Sequence, residues 1–227
     1  MSTAPPAIAI AAELSGRVRL GVLALSGVSA VADDAPLQAE IETYARGLRE
    51  QYGDGRSAEV PGAADARTLY KALGLDPTKT RPSNEALLRR VLKGEPLYHV
   101  NTLVDALNLC SLRAQLPFGL YDLAQVAGPV VLRRGLAGES YEGIRKAAVN
   151  VDGRPTLADA QGAFGNPTSD SARTMITLQT TSALVTCYAP AGYGLTRLRQ
   201  VLDGTEQALR RACGGTLAER QVLPEGG

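Results

Sequence analysis

At 227 residues the chain is long enough to bury a substantial core, and 44% apolar with 21% charged residues is ordinary globular usage. Lys+Arg (24) and Asp+Glu (23) nearly cancel to a net charge of +1, which excludes nucleic-acid binding driven by an overall basic excess and leaves only local clusters: Arg89, Arg90 and Lys93; Arg133 and Arg134; Arg197, Arg199, Arg210 and Arg211. Cys110, Cys187 and Cys213 are odd in number and far apart, His99 is the single histidine, and no apolar run approaches the roughly 20 residues that span a bilayer, so a disulfide framework, a Cys/His metal centre, a cofactor and a membrane span are not expected.

The opening MSTAPPAIAIAAEL lacks a basic n-region and reads as an ordinary N-terminus, in keeping with reduced thiols and a cytoplasmic protein. Arg17 to Val28 is rich in Val and Leu and predicts a buried strand. Pro36 to Tyr52 follows as a helix, with Leu37, Ile41, Tyr44 and Leu48 on one stripe and Gly53 as its stop. Ala63 to Leu73 predicts a second helix, ended by Gly74 and Asp76-Pro77. A third begins at Ser83, read as its N-cap, carries Leu87, Leu88, Val91 and Leu92, and ends at Gly94.

Leu103 to Leu112 is a helix whose polar residues matter more. Asn101, Asp105 and Asn108 stand at i, i+4 and i+7 on one face, with Ser111 nearby; that face either bonds neighbouring turns or lines a pocket. His99, just before it, is a packed or surface residue or a general base. After the LPFG turn come a short segment at Tyr121-Asp122 and a strand at Pro129 to Arg133. Glu139 and Asp159 are acids beside turn residues, either solvated or placed to hold an amino group or a water. Thr174 to Thr180 and Ala183 to Tyr188 predict two strands, the first with Thr174, Ile176, Leu178 and Thr180 on one face. Thr196, read as an N-cap, opens an amphipathic helix to Cys213, and TLAERQVLPEGG is expected to fray. GYGLTR (Gly192 to Arg197) lacks the Lys-Ser/Thr of a phosphate loop and reads as a turn. Strands and helices mix without regular alternation, which predicts an α+β fold.

The order of motifs adds a further reading. Asn101, Val104, Asp105 and Asn108 form N-x-x-V-D-x-x-N; then come QLPFGLYD (Gln115 to Asp122), GPVVLRRGLAGE (Gly128 to Glu139), and LAD followed by SDSARTMITL (Leu157 to Leu178). This ordered set resembles the B3/B4 domain of the phenylalanyl-tRNA synthetase beta chain from about Leu69 to Cys213. It is still more similar to free-standing proteins that contain only that domain, which also share LYKALGLDPTKTRPSNEALLRRVLKG. The resemblance implies a β-sandwich-like core with flanking helices and divides the chain into an N-terminal strand–helix portion (1–60) packed on a B3/B4-like domain (61–215), with a tail (216–227). In the synthetase this domain hydrolyses tyrosine wrongly attached to phenylalanine tRNA, in a pocket whose polar contact to the tyrosine hydroxyl a phenylalanine cannot satisfy.

The sequence departs from that pattern in two places. Gly119 stands where the synthetase has a His before its F/Y-D pair, and AFGNPTSD stands in place of a Gly-Gly-Glu segment. Two functions are therefore expected as alternatives: a trans-acting hydrolase of mischarged tRNA, or a non-catalytic module binding an amino acid, a related small molecule or RNA. Asp105, Glu139 and His99 are the catalytic candidates. Asn101, Asp105, Asn108, Ser111, Gly119, Glu139, Asp159, Thr174 and Thr180 are the expected substrate contacts, on the assumption that the helix, the Glu139 segment and the Thr-bearing strand meet at one cavity.

Overall fold

Two nine-residue runs, VRLGVLALS and SALVTCYAP, carry apolar residues on both faces, so a strand built from either must be covered on both sides. The fold does this with three layers. A computed structural model describes residues 5–53 and 56–224. In chain order its elements are β1 (Ile8–Ile10), β2 (Val18–Ser26), α1 (Ala35–Tyr52), α2 (Ala63–Ala72), α3 (Ser83–Leu92), α4 (Thr102–Ala114), β3 (Phe118–Asp122), β4 (Val130–Arg134), β5 (Ser140–Gly143), β6 (Lys146–Asn150), β7 (Pro155–Asp159), β8 (Gly162–Gly165), β9 (Ser182–Pro190), α5 (Leu195–Cys213) and β10 (Thr216–Leu223).

The central antiparallel sheet has the order β10-β2-β9-β3, and the second has the order β1-β4-β7-β8, with β1 parallel to β4. The hairpin β5–β6 stands beside them. Alternation along the central strands sorts the core. Leu20, Val22, Ala24, Leu184 and Tyr188 face Leu132, Leu157 and Phe164 of the second sheet, together with Leu69, Tyr70 and Leu73 around α2. Leu23, Leu25, Val185 and Cys187 face Ile41 of α1, Leu103 and Leu107 of α4, and Leu198, Leu202 and Leu209 of α5. Gly21 lets α5 approach: a Cβ there would lie 2.9 Å from a methyl of Leu202. α3 joins α1 and α4 in a separate apolar cluster through Leu88 and Val91. The architecture is mixed α+β, with sheet on sheet and helices on the outer face of the central sheet.

Several sequence expectations are corrected here. Thr174 to Thr180 is not a strand but an irregular loop, because its hydroxyls bond locally: Thr180 Oγ1 accepts from the Thr177 amide at 3.0 Å, and the Ser171 and Thr174 hydroxyls lie 3.0 Å apart. Neither Ser83 nor Thr196 caps its helix; Pro82 and Gly194 occupy those positions without a side-chain bond. Residues expected to fray form β10 instead, paired with β2 from Thr216↔Ser26 to Leu223↔Leu20. Its alternation TLAERQVL is that of a strand with one solvated face, easily read as tail. No helix among the described residues is long and apolar enough to cross a membrane.

Candidate functional site

The chain leaves the central sheet at Asp122, the last residue of the edge strand β3. Its amide donates to the Thr174 carbonyl at 2.8 Å, its Oδ1 accepts from the Ala124 amide at 3.0 Å, and its Oδ2 accepts from the Thr180 hydroxyl at 2.7 Å. These bonds fasten loop 171–181 to the end of β3 and leave a cavity of about 320 Å³ lined by Asp122, Gln125, Arg173, Met175, Thr177 and Gln179, among others. Its wall mixes hydroxyl and amide groups with the exposed thioether of Met175.

The charges around this cavity are unequal in their pairing. Arg173 is neutralised by Asp159, with Nη1 donating to Oδ2 and Nη2 to Oδ1, both at 3.0 Å; Nη1 also donates to the Gln125 carbonyl at 2.8 Å. Its guanidinium sits 5.6 Å from the Phe164 ring centre. Asp122 is only 8% exposed, and no cation among the described residues forms an ion pair with it. Those residues also hold no group of three His, Cys, Asp or Glu placed to bind a metal ion.

The expected contacts separate into four places. Thr180 and Thr174 are buried behind the cavity wall and hold Asp122: the Thr180 hydroxyl donates to its carboxylate, and the Thr174 carbonyl accepts from its amide. Asp159 acts one step back, on Arg173.

The polar residues of α4 are elsewhere. Asn101 caps its own helix, its side-chain oxygen accepting from the Val104 amide at 3.0 Å, and Ser111 donates to the Leu116 carbonyl at 2.7 Å. Asn108 is half-buried within the same helix. The buried Asp105 carboxylate accepts from the Val100 amide (3.0 Å) and the Gln38 side chain (2.9 Å), and lies 2.5 Å from His99 Nδ1. It ties α4 to α1 and touches no cavity residue. Asp105→Ala would strand two donors and is expected to cost about 1–3 kcal/mol in urea denaturation. Ligand-induced stabilisation at the Asp122 cavity should be unchanged; its loss would bring Asp105 back into the site.

Glu139 lies on the far side of the central sheet from α4. Its two oxygens take Arg133 Nη1 and Nη2 at 2.7 and 2.8 Å, with amide bonds from Leu136 (2.7 Å) and Ala163 (3.1 Å). The Arg133 hydrogen bonds, chiefly, hold its carboxyl down to about 2. It is a structural anion joining β4 to β8, saturated with donors. The α4 face packs against the central sheet while Glu139 is bound to strands of the second sheet, so these segments do not share the single cavity assumed for all three.

Gly119 stands where a larger side chain has no room. A Cβ at this position would lie 2.1 Å from the Tyr121 hydroxyl and 2.8 Å from Thr186 Oγ1, both buried between the sheets. Tyr121 packs edge-on against Phe164 at 4.9 Å, its hydroxyl 3.5 Å from that of Tyr188. Burial pushes both phenols well above their ordinary range. The space a side chain at 119 would enter is therefore filled by Tyr121.

Sequence reasoning missed Asp122, Gln125, Arg173, Met175, Thr177 and Gln179. The available signals were the Tyr-Asp pair itself and the density of hydroxyls between Ser169 and Thr181.

A family model described as the B3/4 domain matches residues 65–213. No curated protein matches the sequence. Among solved structures, the chain is similar to an N-terminal fragment of the phenylalanyl-tRNA synthetase beta-subunit from Pyrococcus horikoshii. That similarity has 11% identity and a TM-score of 0.46, and covers 99% of this chain and 57% of that one. This chain accordingly spans little more than half the length of that fragment.

Proposed function

We propose that this chain, which belongs to the B3/4 domain family, is a recognition module in the quality control of tRNA charging: it holds an amino-acid-like group beside Asp122 and does not hydrolyse it. The observation that carries the non-catalytic half is the filled space at Gly119, where the sequence pattern would place a histidine. The cavity wall offers no Cys or His to serve as nucleophile or general base. The binding half is supported by the cavity's size and by its mix of hydroxyl, amide and carboxylate groups around an apolar thioether. The proposed partners are an amino-acid-like small molecule and, through local arginines rather than net charge, an aminoacyl-tRNA end.

A trans-acting deacylase is the second reading. An aminoacyl ester is already activated, and the Asp122 carboxylate has an acceptor position left with which to orient a water. One pair of measurements separates the two. A thermal-shift screen of amino acids and their derivatives is expected to give stabilisation, because ligand binding to the native state raises its stability. A panel of mischarged tRNAs is expected to lose ester no faster with the protein than in buffer. Accelerated ester loss would replace the first reading with the second, and silence in both assays would remove both.

A further inference from the structure

We infer that the segments leading into α1 and α4 form a metal-ion site of the zinc class, with His99 Nε2 and the Asp33 carboxylate as donors and Asp105 positioning the ring. The site shares no residue with the Asp122 cavity, so the two stand or fall separately. Its donors lie on two loops that are already fastened together. The Thr102 amide donates to the Val31 carbonyl at 3.0 Å, and the Val31 amide donates to Thr102 Oγ1 at 3.1 Å. Asp33 and His99 stand a few residues to either side of this double link.

Asp105 decides which ring nitrogen is free. Its Oδ2 lies 2.5 Å from His99 Nδ1 and accepts from the Gln38 side chain at 2.9 Å, while Oδ1 takes the Val100 amide at 3.0 Å. A lone pair on Nδ1 would face a carboxylate lone pair at that distance, so Nδ1 carries the hydrogen and donates it. Gln38 Nε2, 3.0 Å from the same ring nitrogen, is itself a donor and cannot receive that hydrogen. In the neutral ring Nε2 then keeps its lone pair. A carboxylate behind a histidine fixes the tautomer of a metal-bound imidazole and makes the ring a stronger donor. Asp33 Oδ1 lies 3.6 Å from Nε2, too long for a hydrogen bond. With no hydrogen on Nε2, two acceptors border one gap. Donors about 2.1 Å from a tetrahedral ion stand about 3.4 Å apart, so an ion of zinc's size fits between them. The His99 side chain is 44% exposed and that of Asp33 70%, which opens both to an ion from solvent. Imidazole with carboxylate favours zinc-class ions over magnesium, which takes oxygen donors in an octahedron. No third His, Cys, Asp or Glu among the described residues is placed to join as a ligand, so the ion's other positions go to water or to a donor from a bound molecule.

The test is isothermal titration of the full chain with zinc chloride, with magnesium chloride as the control. Zinc is expected to bind, one ion per chain, and magnesium to give no binding. His99→Gln, Asp33→Asn and Asp105→Asn are each expected to weaken zinc by about tenfold or more. Far-UV circular dichroism checks that each variant folds. Asp33 is exposed and makes no other ion pair among the described residues, so its variant is the least coupled to folding. Because His99 is the single histidine, nitrogen NMR spectra of its ring report Nδ1 and Nε2 without overlap. Zinc is expected to shift Nε2 far more than Nδ1, which a purely structural His99–Asp105 pair would not show. If Asp105→Asn does not fold, the ring spectra of the parent decide its role. Zinc binding that is absent, that survives His99→Gln, or that is as tight in a folded Asp33→Asn as in the parent would overturn the inference. Each of these results leaves the Asp122 reading untouched.

Discussion

Gly119→His is expected to destabilise the protein by about 3 kcal/mol or more and to confer no hydrolytic activity. The side chain has nowhere to go. Its first carbon would lie 2.1 Å from the Tyr121 hydroxyl oxygen and 2.7 Å from the adjoining ring carbon. The ring cannot retreat, because Phe164 meets it at 88° and Gly165 lines it so closely that a Cβ there would sit 2.4 Å from the same hydroxyl. Tyr121 is the larger obstacle, with Thr186 Oγ1 a lesser one at 2.8 Å, so the effect should be partly non-additive. Tyr121→Ala alone is expected to cost about 3–5 kcal/mol as a cavity. Combined with Gly119→His, it should cost clearly less than the sum, since the new ring enters the vacated space. Urea denaturation of the two single variants and the double variant measures this. A single variant as stable as the parent would show that the sheets part more easily here than their packing indicates.

The second large effect centres on Glu139. Glu139→Ala removes the anion from a largely buried ion pair and leaves Arg133 and two backbone amides without their acceptor, so a loss of about 3–5 kcal/mol is expected. The same site sets an acid limit. The folded carboxyl is held at about 2 against its usual 4.5, so its stabilising contribution is fully present above 4.5 and disappears as pH falls through 2. At one pKa unit per 1.36 kcal/mol the gap sets an upper bound of about 3 kcal/mol, which solvent screening at this partly exposed pair reduces. Unfolding free energies of the parent and of Glu139→Gln, compared across this range, isolate the contribution from other acids. The difference should be widest near neutrality and close toward pH 2. A difference that stays constant over the whole range would mean that the Arg133 contacts do not discriminate between the charged and neutral carboxyl.

The parts of the fold legible in the sequence are those whose signal is local. Val18–Ser26 and Ser182–Pro190 are apolar throughout, and the stripes of α1, α4 and α5 repeat over several turns. The strands β5 to β8 have four or five residues each, with glycines and polar side chains diluting any alternation. The site fared worse because its determinants are pairings across the chain. Asp122 is one acid among many until Thr180 and Thr174 are brought to it from more than fifty positions away. Glu139 and Asp159 looked available because their arginines, Arg133 and Arg173, could not be assigned to them from spacing. The α4 spacing carried no information about which layer Asn101, Asp105 and Asn108 would meet, and in the fold Asn101 caps its own helix while Asp105 bonds Val100 and Gln38.

The place of β2 has a consequence for how the protein comes into being. Its residue Leu20 lies in register with Tyr188 on one side and Leu223 on the other, so this strand waits for two neighbours that are made much later along the chain. Until then an apolar segment emerges from the ribosome with two open edges, in a topology whose distant pairings make closure slow. Cellular yield should accordingly rise with chaperones that shield such segments.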